Sequence, residues 1–383
     1  MVGTCPLECI SIGAVPVRNV ATLARIEVLR EADTMGPVNA SSRAVARRVA
    51  GLVLLIVVVV GVSAAPIATA PDSTPPPTTV PIVGTAATPA PTLPDAKTVR
   101  VTSIQALLDA LDDDSIDVIV VKDGTYRVSP SNEVAADSLW IGKRFADRTR
   151  PILVRAETRG GVTFRGDGEG SYGGLSFEDG AHHQTWDGFN FANMAASQTG
   201  IIEVGGYVPR RPPHHITVTN IRIESSATGR ATTMVGSSWD HGIYIAHAAG
   251  TGPHDLIFED IYVDGRGGLA SAVHFDHGDE ANPAASDVTV RRLTVLGTQQ
   301  AIILWEPALH DITFDSVTIR DALRFAIRYE SIGASGITFA NITSIRSGCQ
   351  GFFSSEGTAP PGVTFVNADL DPPRDPAADG CPD

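Results

Sequence analysis

The sequence predicts an all-β fold, a single parallel β-helix, and three observations predict it. The first is one recurring phrase. It reads His215-Ile-Thr-Val-Thr-Asn-Ile-Arg-Ile223, Asp255-Leu-Ile-Phe-Glu-Asp-Ile-Tyr-Val263 and Asp287-Val-Thr-Val-Arg-Arg-Leu-Thr-Val295, then Asp311-Ile-Thr-Phe-Asp-Ser-Val-Thr-Ile319, Gly336-Ile-Thr-Phe-Ala-Asn-Ile-Thr-Ser344 and Gly362-Val-Thr-Phe-Val-Asn-Ala-Asp-Leu370. Its first apolar residues (Ile216, Leu256, Val288, Ile312, Ile337, Val363) stand 40, 32, 24, 25 and 26 residues apart, a repeat stretched by insertions, which signals a solenoid. The second observation is alternation of apolar and polar residues within each copy, the mark of a strand with one buried face. The third is a break in that alternation four residues after the first apolar one, at Asn220, Asp260, Arg292, Ser316, Asn341 and Asn367. Asn and Asp tolerate a left-handed backbone, so the break reads as a corner between two strands.

Two weaker copies precede these, Val162-Thr-Phe164 with a corner at Gly166 and Gln184 to Phe191 with a corner at Gly188. Aligned together, Phe164, Trp186, Val218, Phe258, Val290, Phe314, Phe339 and Phe365 form an inward stack. A further strand precedes each copy: Gly242-Ile-Tyr-Ile-Ala-His247, Ala272-Val-His-Phe-Asp-His277, Ala301-Ile-Ile-Leu-Trp-Glu306, Ala326-Ile-Arg-Tyr-Glu-Ser331 and Gly351-Phe-Phe-Ser-Ser-Glu356. Strand parity turns Ile243, Val273, Ile302, Ile327 and Phe352 inward, followed by Ile245, Phe275, Leu304, Tyr329 and Ser354.

Taken in order, residues 1–64 are a leader. Arg43-Ala-Val-Ala-Arg-Arg48, the apolar run Val49 to Val62 and Val62-Ser-Ala64 have the layout of an export signal. Secretion is expected, with retention as a single membrane anchor over residues 49–65 as the alternative. Residues 65–97 are rich in Pro, Thr and Ala and read as an extended linker. The folded domain, 98–383, opens with Ser103-Ile-Gln-Ala-Leu-Leu-Asp-Ala-Leu-Asp112. Ile104, Leu107, Leu108 and Leu111 share one helical face with Ser103 as N-cap, an amphipathic helix suited to capping a solenoid end. Strands follow at Asp117–Val121, Pro151–Arg155 and Val162–Gly166. Cys349 and Cys381, in the last coil and the tail, are placed for one disulfide in an exported domain.

Composition excludes one class of partner. The chain of 383 residues carries a formal charge of −14 and only three lysines, Lys97, Lys122 and Lys143, with no basic stripe for a nucleic acid backbone. A monomer is expected.

The helix over 103–112, the Lys122-Asp-Gly-Thr-Tyr126 turn, Ile152-Leu-Val-Arg-Ala156 and phrases of the form Ile337-Thr-Phe-Ala-Asn341 together resemble the pectin lyase-like superfamily. The resemblance spans about residues 98–371 and implies a right-handed parallel β-helix and a polysaccharide lyase, hydrolase or epimerase. The chain departs from the family's activity motifs. It lacks the polygalacturonase pattern, and Trp239-Asp-His241 is similar to a pectate lyase Trp-x-Asp-His segment short of one residue.

Outward positions of the short strands carry the candidate chemistry. Tyr244, His274, Asp276, His277, Trp305, Glu306, Arg328 and Glu330 fall on one patch, with His247, Asp240 and His241 beside it, coils being about 4.8 Å apart. Three mechanisms fit. In a hydrolase, Asp276 and Glu330 stand two coils, about 9.6 Å, apart with Trp305 between them as a sugar platform, near the spacing of inverting acid–base pairs. In a lyase, Arg328 neutralises a uronate carboxylate while His274 or Tyr244 takes the C5 proton. In a metal-assisted version, Asp240, Asp276, Asp279 or Glu280 holds Ca²⁺, or His241, His247, His274 and His277 hold a transition metal. The leading expectation is an exported enzyme cleaving a polysaccharide. The alternative is a surface or carbohydrate-binding β-helix without catalysis.

Overall fold

The computed structural model describes residues 96–128, 148–166, 174–194, 200–205, 211–225, 240–246, 252–265, 268–276, 284–331, 333–354 and 360–372. All of these lie in the compact unit Thr88–Asp383. Residues 1–95 lie outside the described residues, and so do the apolar run at 49–65 and nearly all of the linker. Among the described residues, no helix is long and apolar enough to cross a membrane.

The described chain begins with β1 (Thr98–Val101) and helix α1 (Ile104–Leu111). Ser103 caps α1, its Oγ accepting the Ala106 N–H at 3.1 Å. Ile104, Leu107, Leu108 and Leu111 are buried as the helical pattern requires, and α1 packs on β1 and the next strand. Two-part coils follow. The strand β2 (Val118–Val121) turns into β3 (Gly124–Arg127), and β4 (Ile152–Ala156) into β5 (Val162–Arg165). After the short β6 (Leu175–Phe177), β7 (His182–Asp187) turns into β8 (Phe189–Met194). From β9 (Gly200–Val204) onward each coil is one short and one long bent strand: β10 (His214–Ser225), β11 (His241–Ile245), β12 (His254–Asp264), β13 (Ser271–Phe275), β14 (Ser286–Leu296). The pattern ends with β15 (Gln300–Leu304), β16 (His310–Arg320), β17 (Phe325–Tyr329), β18 (Ile337–Ile345), β19 (Gln350–Ser354) and β20 (Val363–Val366).

All described strand pairs are parallel, and they form a 13-stranded sheet, which holds every long strand together with β1–β5, β7, β8 and β20, and a 7-stranded sheet in the order β19-β17-β15-β13-β11-β9-β6. Each strand pairs with its counterpart one coil away, and the chain is a parallel β-helix. Register follows the sequence alignment: Ile216 pairs with Leu256, Leu256 with Val288, Val288 with Ile312, and Ile337 with Val363. The inward column stacks as aligned, Phe314 on Phe339 at 5.1 Å and Phe339 on Phe365 at 5.2 Å between ring centroids.

The corners hold. Gly188, Asn220, Asp260, Arg292, Ser316, Asn341 and Asn367 all have positive φ, between 51° and 90°. Side chains tie successive corners together: Asn220 donates to Asp187 at 2.6 Å, Arg292 grips Asp260 at 2.7 and 3.0 Å, and Asn367 donates to Asn341 at 3.1 Å. That ladder explains how an arginine sits in a left-handed corner.

Two readings are corrected. Val162-Thr-Phe164 is not a first-half copy: Phe164 pairs with Phe191, in the column after the corner, and Val154 takes the place beside Trp186. Gly166 is accordingly no corner. A second row of left-handed residues precedes the first apolar one, at His183, His215, Asp255, Asp287 and Asp311 (φ 51–56°) and at Gly336 and Gly362. Cys349 is buried and disulfide-bonded, and its partner lies outside the described residues.

Candidate functional site

The short strands of the 7-stranded sheet bring the expected residues together. Tyr244 pairs with His274, His274 with Ile303 and Ile303 with Arg328, one coil after another. Just past the strand ends, the N–H of Asp276 bonds Ile245 O at 3.0 Å, that of Trp305 bonds Phe275 O at 3.0 Å and that of Glu330 bonds Leu304 O at 2.8 Å. These bonds stack Asp276, Trp305 and Glu330 in a second column.

This face is less open than strand parity suggests. Every position of β11, β13 and β15 is buried, outward residues included, and Tyr244, His274 and Ile303 expose 2%, 3% and 1%. Asp276, Trp305, Arg328 and Glu330 are half-buried and form the accessible side.

The contacts define a small network. The Tyr244 hydroxyl donates to Asp276 Oδ2 in a short hydrogen bond. His274 Nδ1 lies 3.0 Å from His241 Nε2, and His241 Nδ1 lies 2.8 Å from Ser271 Oγ. The remaining ring nitrogen of His274, Nε2, is buried without a hydrogen-bond partner. Trp305 lies nearly parallel to the His274 ring, 6.3 Å away at 18°. Arg328 sits over Trp305 at 5.6 Å and donates twice to Glu330 Oε1, at 2.9 and 2.7 Å.

Burial sets the charges. It pushes His274 down to about 4, helped by Arg328 and opposed by Asp276, and it pushes His241 well below the usual imidazole range. Glu306, 2% exposed, is pushed up to about 8 by burial, with the Asp276 charge adding to the effect. The Ala285 N–H favours its charged form but completes no hydrogen bond, and both Glu306 oxygens are left without partners. Between these limits the imidazole and the carboxyl are both neutral.

The structure therefore gathers Tyr244, His274, Asp276, His241, Trp305, Arg328 and Glu330. Glu306 is enclosed rather than presented. Asp240 is buried at the entry to β11, its carbonyl bonded by Ala270 N–H at 2.8 Å. His247, His277, Asp279 and Glu280 lie outside the described residues. Among the described residues, no group of three or more His, Cys, Asp or Glu surrounds a metal position. Sequence reasoning missed Ser271 and Gln300. The signal was a polar residue opening three successive short strands, His241, Ser271 and Gln300, which pair in register.

No family model matches the chain, and no curated protein matches it. Among solved structures it is similar to an alginate lyase from Paenibacillus sp. str. FPU-7, at 12% identity, covering 70% of this chain and 99% of that one, TM-score 0.32. A mannuronic acid specific polysaccharide family 6 lyase from human gut microbiota matches at 13% identity over 67% of each chain, TM-score 0.34. A pectate lyase from Xanthomonas campestris matches at 14% identity, covering 74% of this chain and 84% of that one, TM-score 0.32. At these scores the fold assignment rests on the all-parallel register of the chain itself, and the chemistry rests on the residues above.

Proposed function

We propose that this face is the active site of an exported enzyme that cleaves an acidic polysaccharide by β-elimination. The observation that carries the reading is His274, whose free, buried Nε2 sits beside the Tyr244–Asp276 hydrogen bond and under Trp305. With Nδ1–H given to His241, and His241 in turn bonded to Ser271, Nε2 keeps its lone pair and acts as the base for a substrate that enters from the half-buried side of Asp276, Trp305 and Arg328 and displaces what encloses it. A uronate bound along Trp305 places its carboxylate toward Arg328, which lowers the cost of carbanion character at C5. His274 takes the C5 proton, the C4–O bond breaks, a C4–C5 double bond forms, and the leaving oxygen receives the Tyr244 proton. The substrate's negative charge raises the basicity of His274 on binding. Export is supported by the apolar run behind Arg47 and Arg48, since polymer substrates of this kind lie outside the cytoplasm.

Hydrolysis is the second reading, favoured by Glu306, a carboxyl that keeps its proton up to about pH 8 next to Asp276. Glu330 fits a donor role poorly, because Arg328 already places two hydrogen bonds on its Oε1, at 2.9 and 2.7 Å. The deciding experiment incubates the full-length protein with polyuronates and with neutral glucans. New ultraviolet absorbance from a conjugated double bond supports elimination, and new reducing ends without it replace elimination by hydrolysis. Binding without turnover rejects both and leaves a carbohydrate-binding β-helix. Repeating the assay in calcium and in chelator tests the calcium role.

A further inference from the structure

A second cluster, on the edge where the chain enters the 13-stranded sheet, takes no part in that reading. Three successive coils enter on His182-His183, His214-His215 and His254-Asp255. The first members pair in register, and their rings stack at 5.1 Å in both steps, inclined by 18° and 3°. The second members have left-handed backbone, φ 52°, 52° and 55°, which turns each side chain back beside its neighbour instead of across the strand. His183 and His215 thereby stack at 4.6 Å.

The result is a row of metal-type donors at close spacing. His214 Nδ1 lies 2.8 Å from His215 Nδ1, and His215 Nδ1 lies 3.6 Å from Asp255 Oδ2. That same Oδ2 lies 2.8 Å from His254 Nδ1. Two ligands of one tetrahedral zinc, bound at about 2.0–2.1 Å, stand about 3.3 Å apart, a value these separations bracket. The side chains of His215, Asp255 and His254 are 50%, 46% and 31% exposed, so an ion reaches them without opening the fold. His182 is spoken for: its two ring nitrogens face the carbonyls of Gly180 at 2.7 Å and Arg148 at 2.5 Å, which makes it a support for the stack.

We propose that this strip binds a divalent transition cation of the zinc class through His214, His215 and Asp255, with His254 as fourth donor. Imidazole with a single carboxylate suits zinc, nickel or copper, whereas calcium and magnesium require mostly oxygen ligands. In the structure as it stands no three of these donors yet surround one point. Closure needs the His214–His215 and His254–Asp255 contacts to widen by about half an ångström each, and the parallel His214 and His254 rings, 5.1 Å apart, to rotate their Nδ1 atoms toward one point. A bound ion would clamp two coils together at a place where the left-handed residues His215 and Asp255 interrupt the backbone pairing.

The test uses the full-length chain, stripped with chelator and titrated with zinc chloride in a calorimeter, alongside thermal unfolding with and without zinc. One zinc per chain at this strip and a raised melting midpoint are expected, because an ion bound only by the folded state stabilises it. His214→Phe keeps a stacked ring and removes a donor, and His215→Asn keeps a residue that accepts the left-handed backbone. Together they should weaken zinc binding about tenfold or more, while His310→Phe, four coils from His182, leaves it unchanged. If the double variant does not fold, as judged by its metal-free melt, Asp255→Asn alone decides, and it too should weaken binding. Absence of zinc binding overturns the proposal, as does unchanged affinity in the double variant or in Asp255→Asn, or calcium binding as tight as zinc.

Discussion

Replacing Glu306 by Gln isolates the energetic consequence of enclosing a carboxyl group behind the candidate site. Glu306 is buried, both of its oxygens lack partners, and its folded-state pKa is raised from 4.5 to about 8, chiefly by burial. Below pH 4.5 the group is protonated in both folded and unfolded chains and the two states respond alike. As pH rises from 4.5 to about 8 the unfolded chain ionises while the folded one does not, so stability falls across that window and the loss levels off above it. At about 1.36 kcal/mol for each pH interval of one, the full loss is about 5 kcal/mol, of which about 3 kcal/mol is present by pH 7. Gln has the same shape and does not titrate. It removes the slope while adding a constant cost for its own unbonded amide. Equilibrium urea unfolding of both proteins, followed by circular dichroism at several values between pH 4.5 and 8, measures the difference. The variant should gain on the wild type by about 5 kcal/mol across the range, whatever the offset at the acid end. A difference that stays flat with pH means that Glu306 titrates as an ordinary exposed acid, and the enclosure argument fails.

His274 should show the opposite sign: its pKa is depressed from 6.5 to about 4, so its stabilising effect is complete above pH 6.5 and is lost as pH falls toward 4. The loss is about 3 kcal/mol, and in the same unfolding assay His274→Gln should flatten the acid limb. For the proposed chemistry, Tyr244→Phe should lower turnover by about 10²–10⁴-fold with an unchanged circular dichroism spectrum, and retained activity rejects its role as proton donor. The pH profile of kcat/KM should fall below about 4 as His274 protonates, and a second fall above about 8 in the wild type but not in Glu306→Gln would bring Glu306 into the reaction. Away from the site, Phe314→Ala removes the middle of the Phe275–Phe314–Phe339 contact chain and should cost about 3–5 kcal/mol in urea unfolding.

Much of the architecture was legible because strand parity and stacking are local rules that repeat. Once Ile216, Leu256, Val288 and Ile312 are recognised as one column, the side each neighbour faces follows, and Tyr244, His274 and Arg328 fall in line with observed pairings. The same locality explains the misplacement of Val162–Phe164. Residues on the two sides of a corner both alternate with period two, so Phe164 matches Trp186 and Phe191 equally well until hydrogen bonds choose the latter. The second left-handed row was visible as His215, Asp255, Asp287, Asp311, Gly336 and Gly362, residue types that favour or permit such a backbone, but it falls where one phrase begins and no alternation is there to break. What parity cannot express is coverage. It separates the two faces of a sheet and is silent on which face water reaches. For Glu306 and His274 that omission inverts the chemistry. An uncovered face would hold a carboxylate and an imidazole free to titrate near 4.5 and 6.5, whereas enclosure makes the carboxyl a proton holder up to about 8 and the imidazole neutral down to about 4. The acid–base character of this site is therefore a property of its burial as much as of the order of residues along the coils.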